Sequence, residues 1–190
     1  MNYREFYLQL VDPQNPVRFL PDGRDLTAPH PDYPDILMER RAAAALRALL
    51  ARLDAFDKII PVSGFRSQAE QQAIWDETMS SHGPDYTKSY VAIPGCSEHQ
   101  TGLAIDLAAN RPDIDFICPD LPYDGVYGEF RRLAPEYGFI LRYPRGKEHI
   151  TQISEEPWHF RYIGTPHAQI ITENGLVLEE YMQEEEQNAS

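Results

Sequence analysis

Twelve residues constrain this chain more than any others: Gly95-Cys96-Ser97-Glu98-His99-Gln100-Thr101-Gly102-Leu103-Ala104-Ile105-Asp106. They set an imidazole, His99, and a carboxylate, Asp106, on either side of Thr101-Gly102, a pair suited to a tight turn. From Leu103 the pattern alternates: Leu103, Ile105 and Leu107 share one face, Ala104, Asp106 and Ala108 the other. Period two predicts a half-buried strand with Asp106 on its open face. A second cluster, Glu155-Glu156-Pro157-Trp158-His159, supplies another imidazole and spare carboxylates. Two neutral imidazoles and one carboxylate suit a divalent zinc, with a fourth position left open as a catalytic site requires.

A chain of 190 residues, 42% of them hydrophobic, is long enough for one domain with its own core. The formal net charge of −13 argues against nucleic acid and anionic membranes as partners. It does not restrict a small substrate, which responds to local charge in a cleft. Met1 to Leu8 holds no apolar run of signal-peptide length, and no later stretch has the length and apolarity of a bilayer span. The expectation is a cytoplasmic protein without a membrane anchor. Cys96 and Cys118 make no disulfide framework; two reduced thiols are the simpler reading, and one disulfide tying two loops beside the site is the alternative.

Residues 12 to 34 carry six prolines and read as a loop wrapped over the domain. Asp35 to Leu53 has the apolar spacing of a helix, and Lys58 to Ser63 that of a short strand. Ser67-Gln68-Ala69-Glu70 is a capping box that opens a helix running to His82, with Gly83 as its stop. Residues 110 to 126 form a Pro/Asp-rich excursion. Tyr127 to Tyr137 reads as a helix, Phe139 to Tyr143 and Trp158 to Ile163 as strands, and Thr165-Pro166 as the start of a helix that ends near Gly175. Leu178 to Glu186 is a last helix. Mixed helices and short strands without regular alternation predict an α+β fold. The expected fold is one compact domain, with a small antiparallel sheet carrying the metal site and helices flanking it. Along the chain, 1–55 is an N-terminal loop and helix that shapes the cleft, 56–182 the catalytic core, and 183–190 a frayed acidic tail.

Glu156 lies three residues before His159, and Pro157 disfavours a regular strand between them. An irregular backbone would aim both side chains into one cleft, with His159 as ligand and Glu156 free to take a proton from water. Arg66 and Gln71 sit at a helix N-terminus, where anions are favoured. Arg66 reads either as a surface cation or as a fixed cation that stabilises an oxyanion. Ser97 shares a face with His99 if that piece is extended, and its hydroxyl is then placed for a substrate carboxylate. Trp158 reads as a packing residue.

Three blocks resemble the zinc D,D-peptidases of vancomycin resistance: Ser63-Gly64-Phe65-Arg66-Ser67 with Gln71, then Ser97 to Asp106, then Glu156-Pro157-Trp158-His159 with Tyr162. These peptidases are the VanX, VanY and VanXY group, in a family that also holds L,D-carboxypeptidases and phage endolysins. The resemblance implies zinc as cofactor, with His99, Asp106 and His159 as ligands. It implies Glu156 as catalytic base, Arg66 as oxyanion cation, and Ser97, Gln71 and Tyr143 as substrate contacts. Tyr143 rests on its place in Leu141-Arg142-Tyr143-Pro144 alone. The implied substrate is a small peptide ending in D-Ala-D-Ala, either the dipeptide or a peptidoglycan precursor. An L,D-carboxypeptidase on tetrapeptide stems and a cell-wall endopeptidase share these motifs and stay open. A non-catalytic zinc module is the alternative of another class, disfavoured because it has no use for Glu156 and Arg66.

Overall fold

Three of the four strands that build the central sheet supply the site. In the computed structural model, which describes residues 3–188, the chain runs α1 (Tyr3–Tyr7), β1 (Leu26–Thr27), β2 (Met38–Glu39), α2 (Arg40–Leu53), β3 (Ile59–Ser63), α3 (Gln68–His82) and α4 (Pro84–Tyr90). It continues through β4 (Ala104–Ala109), α5 (Gly125–Leu133), β5 (Phe139–Tyr143), α6 (Glu148–Thr151), β6 (Glu156–Tyr162), α7 (His167–Glu173) and α8 (Leu178–Asn188). The sheet has the order β3-β4-β6-β5, and every pairing is antiparallel. The fold is α+β, as expected.

One sheet face is apolar. Ile105 and Leu107 of β4, Phe139 of β5 and Phe160 and Tyr162 of β6 pack with Leu46, Leu49 and Leu50 of α2 and Phe130 and Leu133 of α5. A second cluster covers the far face around β5, where Ile140 meets Leu8, Ile163, Ala168, Ile171, Leu178 and Tyr181. The rest of that face carries Asp106 and His159, which stand opposite each other in the β4–β6 register.

Several expectations need correction. Strand β4 is buried along its whole length, so Asp106 faces a cavity rather than a solvent-exposed side. Helix α2 starts five residues later than expected, because Met38 and Glu39 pair with β1 and the Glu39 carboxylate caps the N–H groups of Arg41 and Ala42. The helix expected over residues 127–137 is α5 followed by a 3₁₀ turn, Ala134–Tyr137, the change falling at Pro135. Helix α4 was not anticipated; Pro84 at its first turn, after Gly83, was its signal. Helix α8 runs on to Asn188, and Glu185 pairs with Arg4; residues 189–190 lie outside the described residues. Among the described residues, those lining the cavity that holds Asp106 begin at Val62, while Val11, Asp12 and Pro13 line a second pocket that shares Tyr143 with it, and α2 packs into the core. Among the described residues no helix is long and apolar enough to cross a membrane.

Pro157 lies inside β6, against the sequence expectation. The β4 pairing ends at His159, and the β5 register slips between Leu141 and Tyr143, opposite this stretch. The residue without an N–H therefore falls where the ladder is already interrupted.

Candidate active site

The turn between Ser97 and β4 brings His99 into place. Glu98–Thr101 is a 3₁₀ turn, so Ser97 and His99 do not lie on one extended face. Gly102 closes it at φ +70, a conformation that favours glycine, and its N–H donates to the His99 carbonyl. The His99 ring is fixed from behind: Nδ1 lies 2.7 Å from the Gly64 carbonyl. Gly64 itself has no room for a side chain, since a Cβ there would come within 2.3 Å of the Leu37 carbonyl.

With Nδ1–H donated to Gly64, His99 turns Nε2 toward Asp106 Oδ2, 3.1 Å away. His159 presents Nδ1 to Asp106 Oδ1 at 2.9 Å, and its Nε2 lies 3.4 Å from the Glu98 carboxylate. The donor atoms of His99, Asp106 and His159 all lie within 4.8 Å of one another, and all three residues are buried. Each atom facing the centre is then an acceptor, so they can share it only with a cation: a proton in the metal-free protein, or a divalent metal. The protonation behaviour agrees. Burial disfavours charge on His159, but its hydrogen bonds to Asp106 and Glu98 outweigh this and raise its pKa to about 9. Burial and the Arg66 cation instead lower His99 to about 4. The donor set, two imidazoles and one carboxylate with a cavity on the open side, fits zinc.

All eight residues singled out from the sequence line one cavity of about 400 Å³. Residues of both strand parities, Glu156, Trp158 and His159, reach it together, as the slip opposite them allows. Trp158 thus lines the cavity as well as packing in the core. The Glu156 carboxylate lies 3.6 Å from His159 Nδ1, and burial raises its pKa to about 8. Arg66 Nη2 lies 3.8 Å from Asp106 Oδ2; its buried Nε has no protein partner. Ser67 and Glu70 form both bonds of the capping box, which fixes the start of α3 next to Arg66.

Gln71 differs from the expectation in its polarity. Its Nε2 donates to the Ala92 carbonyl at 2.8 Å, and the buried atom left without a partner is Oε1. Gln71 so oriented offers an acceptor, which suits a substrate N–H and not a carboxylate. Tyr143 stands with its ring 5.0 Å from that of His159. Phe116 and Ile117, from the Pro/Asp-rich excursion, also line the cavity. Cys96 and Cys118 are free thiols, and Cys118 contacts the Tyr86 hydroxyl.

Four charged residues behind the site were not picked out from sequence: Glu98, Arg142, Arg161 and Glu179. Their signal was an arginine inside an apolar strand, in Phe139-Ile140-Leu141-Arg142-Tyr143 and again in Trp158-His159-Phe160-Arg161-Tyr162. An arginine there demands a buried carboxylate.

Comparison with known proteins gives the same direction. The family model described as VanY, D-alanyl-D-alanine carboxypeptidase, matches residues 35–165. The bifunctional D-Ala-D-Ala dipeptidase and D-Ala-D-Ala carboxypeptidase VanXYC of Enterococcus gallinarum is 41% identical over 176 residues, covering 92% of this chain and 92% of that protein. Among solved structures, the vancomycin-resistance D,D-dipeptidase VanXYg in complex with a D-Ala-D-Ala phosphinate analogue superposes with a TM-score of 0.90 at 50% identity, over 96% of this chain and 74% of that one. A mutant of the D,D-pentapeptidase VanY from the VanB-type resistance cassette, in complex with Zn(II), superposes with a TM-score of 0.70 at 33% identity, over 94% and 99% of the two chains.

Proposed function

Because this chain belongs to the VanY family of D-alanyl-D-alanine carboxypeptidases, we propose that it is a zinc D,D-peptidase that removes the terminal D-Ala from D-Ala-D-Ala, as the free dipeptide and at the end of peptidoglycan-precursor stems. The observation that carries this reading is the meeting of three acceptor atoms, from His99, Asp106 and His159, in a cavity that also holds Glu156 and Arg66. Zinc held by those three side chains supplies Lewis acidity, which polarises a carbonyl and makes water a better nucleophile.

Glu156 is the proton carrier. Burial brings its pKa up toward neutrality; in its ionised form the carboxylate accepts a proton from attacking water and then returns it to the leaving amine. Arg66, with a buried N–H that no protein group satisfies, meets the negative charge that grows on the carbonyl oxygen. Ser97 and Tyr143 line the same cavity and can donate hydroxyl hydrogens to the substrate's terminal carboxylate. Gln71 Oε1 accepts from the scissile or preceding amide N–H.

The test is an assay of metal-free and zinc-loaded protein on D-Ala-D-Ala, a pentapeptide ending in it, its C-terminal amide, and a tetrapeptide stem. Cleavage of the first two only with zinc is expected. Amidation should cost at least tenfold, since a charged hydrogen bond is worth about 1.5–3 kcal/mol. Turnover of the tetrapeptide alone would make the enzyme an L,D-carboxypeptidase. Equal cleavage of acid and amide would make it an endopeptidase.

A further inference from the structure

His159 has two ring nitrogens, and the direction each one faces decides whether it can serve the metal. Nδ1 faces the centre, and Nε2 faces Glu98. The Glu98 carboxylate is not free to move. Its Oε1 lies 2.8 Å from both Arg142 Nε and Arg161 Nη1. Arg142 in turn forks onto Glu179 of α8 with bonds of 2.9 and 2.7 Å. Arg161 Nη2 donates to the Tyr7 and Gln9 carbonyls at 3.2 and 2.9 Å. The Glu98 side chain is 1% exposed, Arg142 1% and Arg161 0%, so water does not screen this chain of charges.

Two carboxylates and two guanidinium groups sum to zero. The network is therefore neutral without any charge on His159, and it asks of the imidazole only an Nε2–H. We infer that Glu98 is a positioning residue for the metal site: it holds His159 in the tautomer that turns the Nδ1 lone pair to the metal, and Arg142, Arg161 and Glu179 hold Glu98. This rests on the reading of His159 as a zinc ligand. Both ends of the chain thereby enter the site indirectly, since Tyr7, Gln9 and Glu179 lie outside residues 35–165. The economy of the arrangement is in the 3₁₀ turn, which carries one ligand at His99 and the orienting carboxylate of the other ligand at Glu98.

A purely structural ion network would lower the melting temperature when broken and leave the zinc affinity of the folded protein unchanged. Positioning predicts otherwise. Glu98→Gln should weaken zinc about 10- to 100-fold in competition with a chromophoric chelator, as loss of an orienting partner does. Glu179→Gln, at the far end of the network, should weaken it in the same direction by a smaller factor. In the zinc-loaded wild type, nitrogen-15 NMR should show His159 protonated at Nε2 and bound through Nδ1, a measurement that needs no variant to fold. His159 bound through Nε2, or Glu98→Gln holding zinc within twofold of wild type, overturns the inference and leaves the zinc site standing. A wild type that binds no zinc overturns both.

Discussion

Glu156 and His159 are three residues apart, and both have raised pKa values, for different reasons. The raised pKa of Glu156 is a burial effect, which fits a group that must exchange protons near neutral pH. Glu156→Gln keeps shape and zinc but cannot carry a proton, so turnover should fall by at least about 100-fold with metal content unchanged, measured by steady-state kinetics and metal analysis. Retained turnover would move the proton to another group. Arg66→Lys keeps the charge and loses the planar fork, so activity should stay well below wild type, with kcat falling more than KM rises. A change in KM alone would make Arg66 a ground-state contact. His159 gives the pH dependence. Its pKa is raised to about 9 in the metal-free protein, and that of His99 lowered to about 4. Between those values only the His159 proton competes with zinc, so affinity is lost as pH falls below about 9. In the Glu156→Gln background, log affinity should rise by about one per pH unit from about pH 5 to 8. A flat profile by chelator competition would show that no such proton is displaced.

Elements position these residues through their ends and irregularities. Strand β3 stops at Ser63, Gly64 passes under the Leu37 carbonyl, and α3 begins after Ser67. The Phe65 N–H donates to that same Leu37 carbonyl, and the Arg66 N–H to the His99 carbonyl. Gly64→Ala puts a methyl group against backbone that cannot swing aside. It should cost about 1–3 kcal/mol by thermal or urea unfolding and weaken zinc as well, because Gly64 also holds the His99 ring. An unchanged melting temperature would mean that the strand has room to shift. The slip in the β5–β6 pairing acts at the start of β6, where it accommodates Pro157 and leaves Glu156 and His159 on one cavity.

Across the whole molecule, zinc would tie together parts of the chain that are distant in sequence. His99 precedes β4, Asp106 lies within β4, and His159 lies in β6. A ligand that binds only the folded state stabilises it by about 4.1 kcal/mol when present at 1,000 times its Kd. Removing metal with a chelator should therefore lower the melting temperature by several degrees, and stoichiometric zinc should restore it. His159→Ala should abolish the difference. A melting temperature blind to chelator in the wild type would argue that the centre holds no metal in the folded protein.

Local chemistry made much of this legible in the chain. The capping box, the Gly83 stop, strand β5 and the His99-to-Asp106 turn depend on neighbours a few residues away, and those neighbours are adjacent in sequence. The candidate site residues were named the same way, because each of the three motif blocks is itself short. Only the tertiary structure decided what lies between blocks. It buried both faces of β4, where alternation alone promised one open side. It ran β6 through Pro157, because the partner strand slips where the missing N–H would have been needed. It turned Gln71 so that its free atom is an acceptor. And it brought Glu98, Arg142, Arg161 and Glu179 together from four separate segments, since a buried charge is tolerated only beside its opposite and sequence spacing does not record which opposite that is.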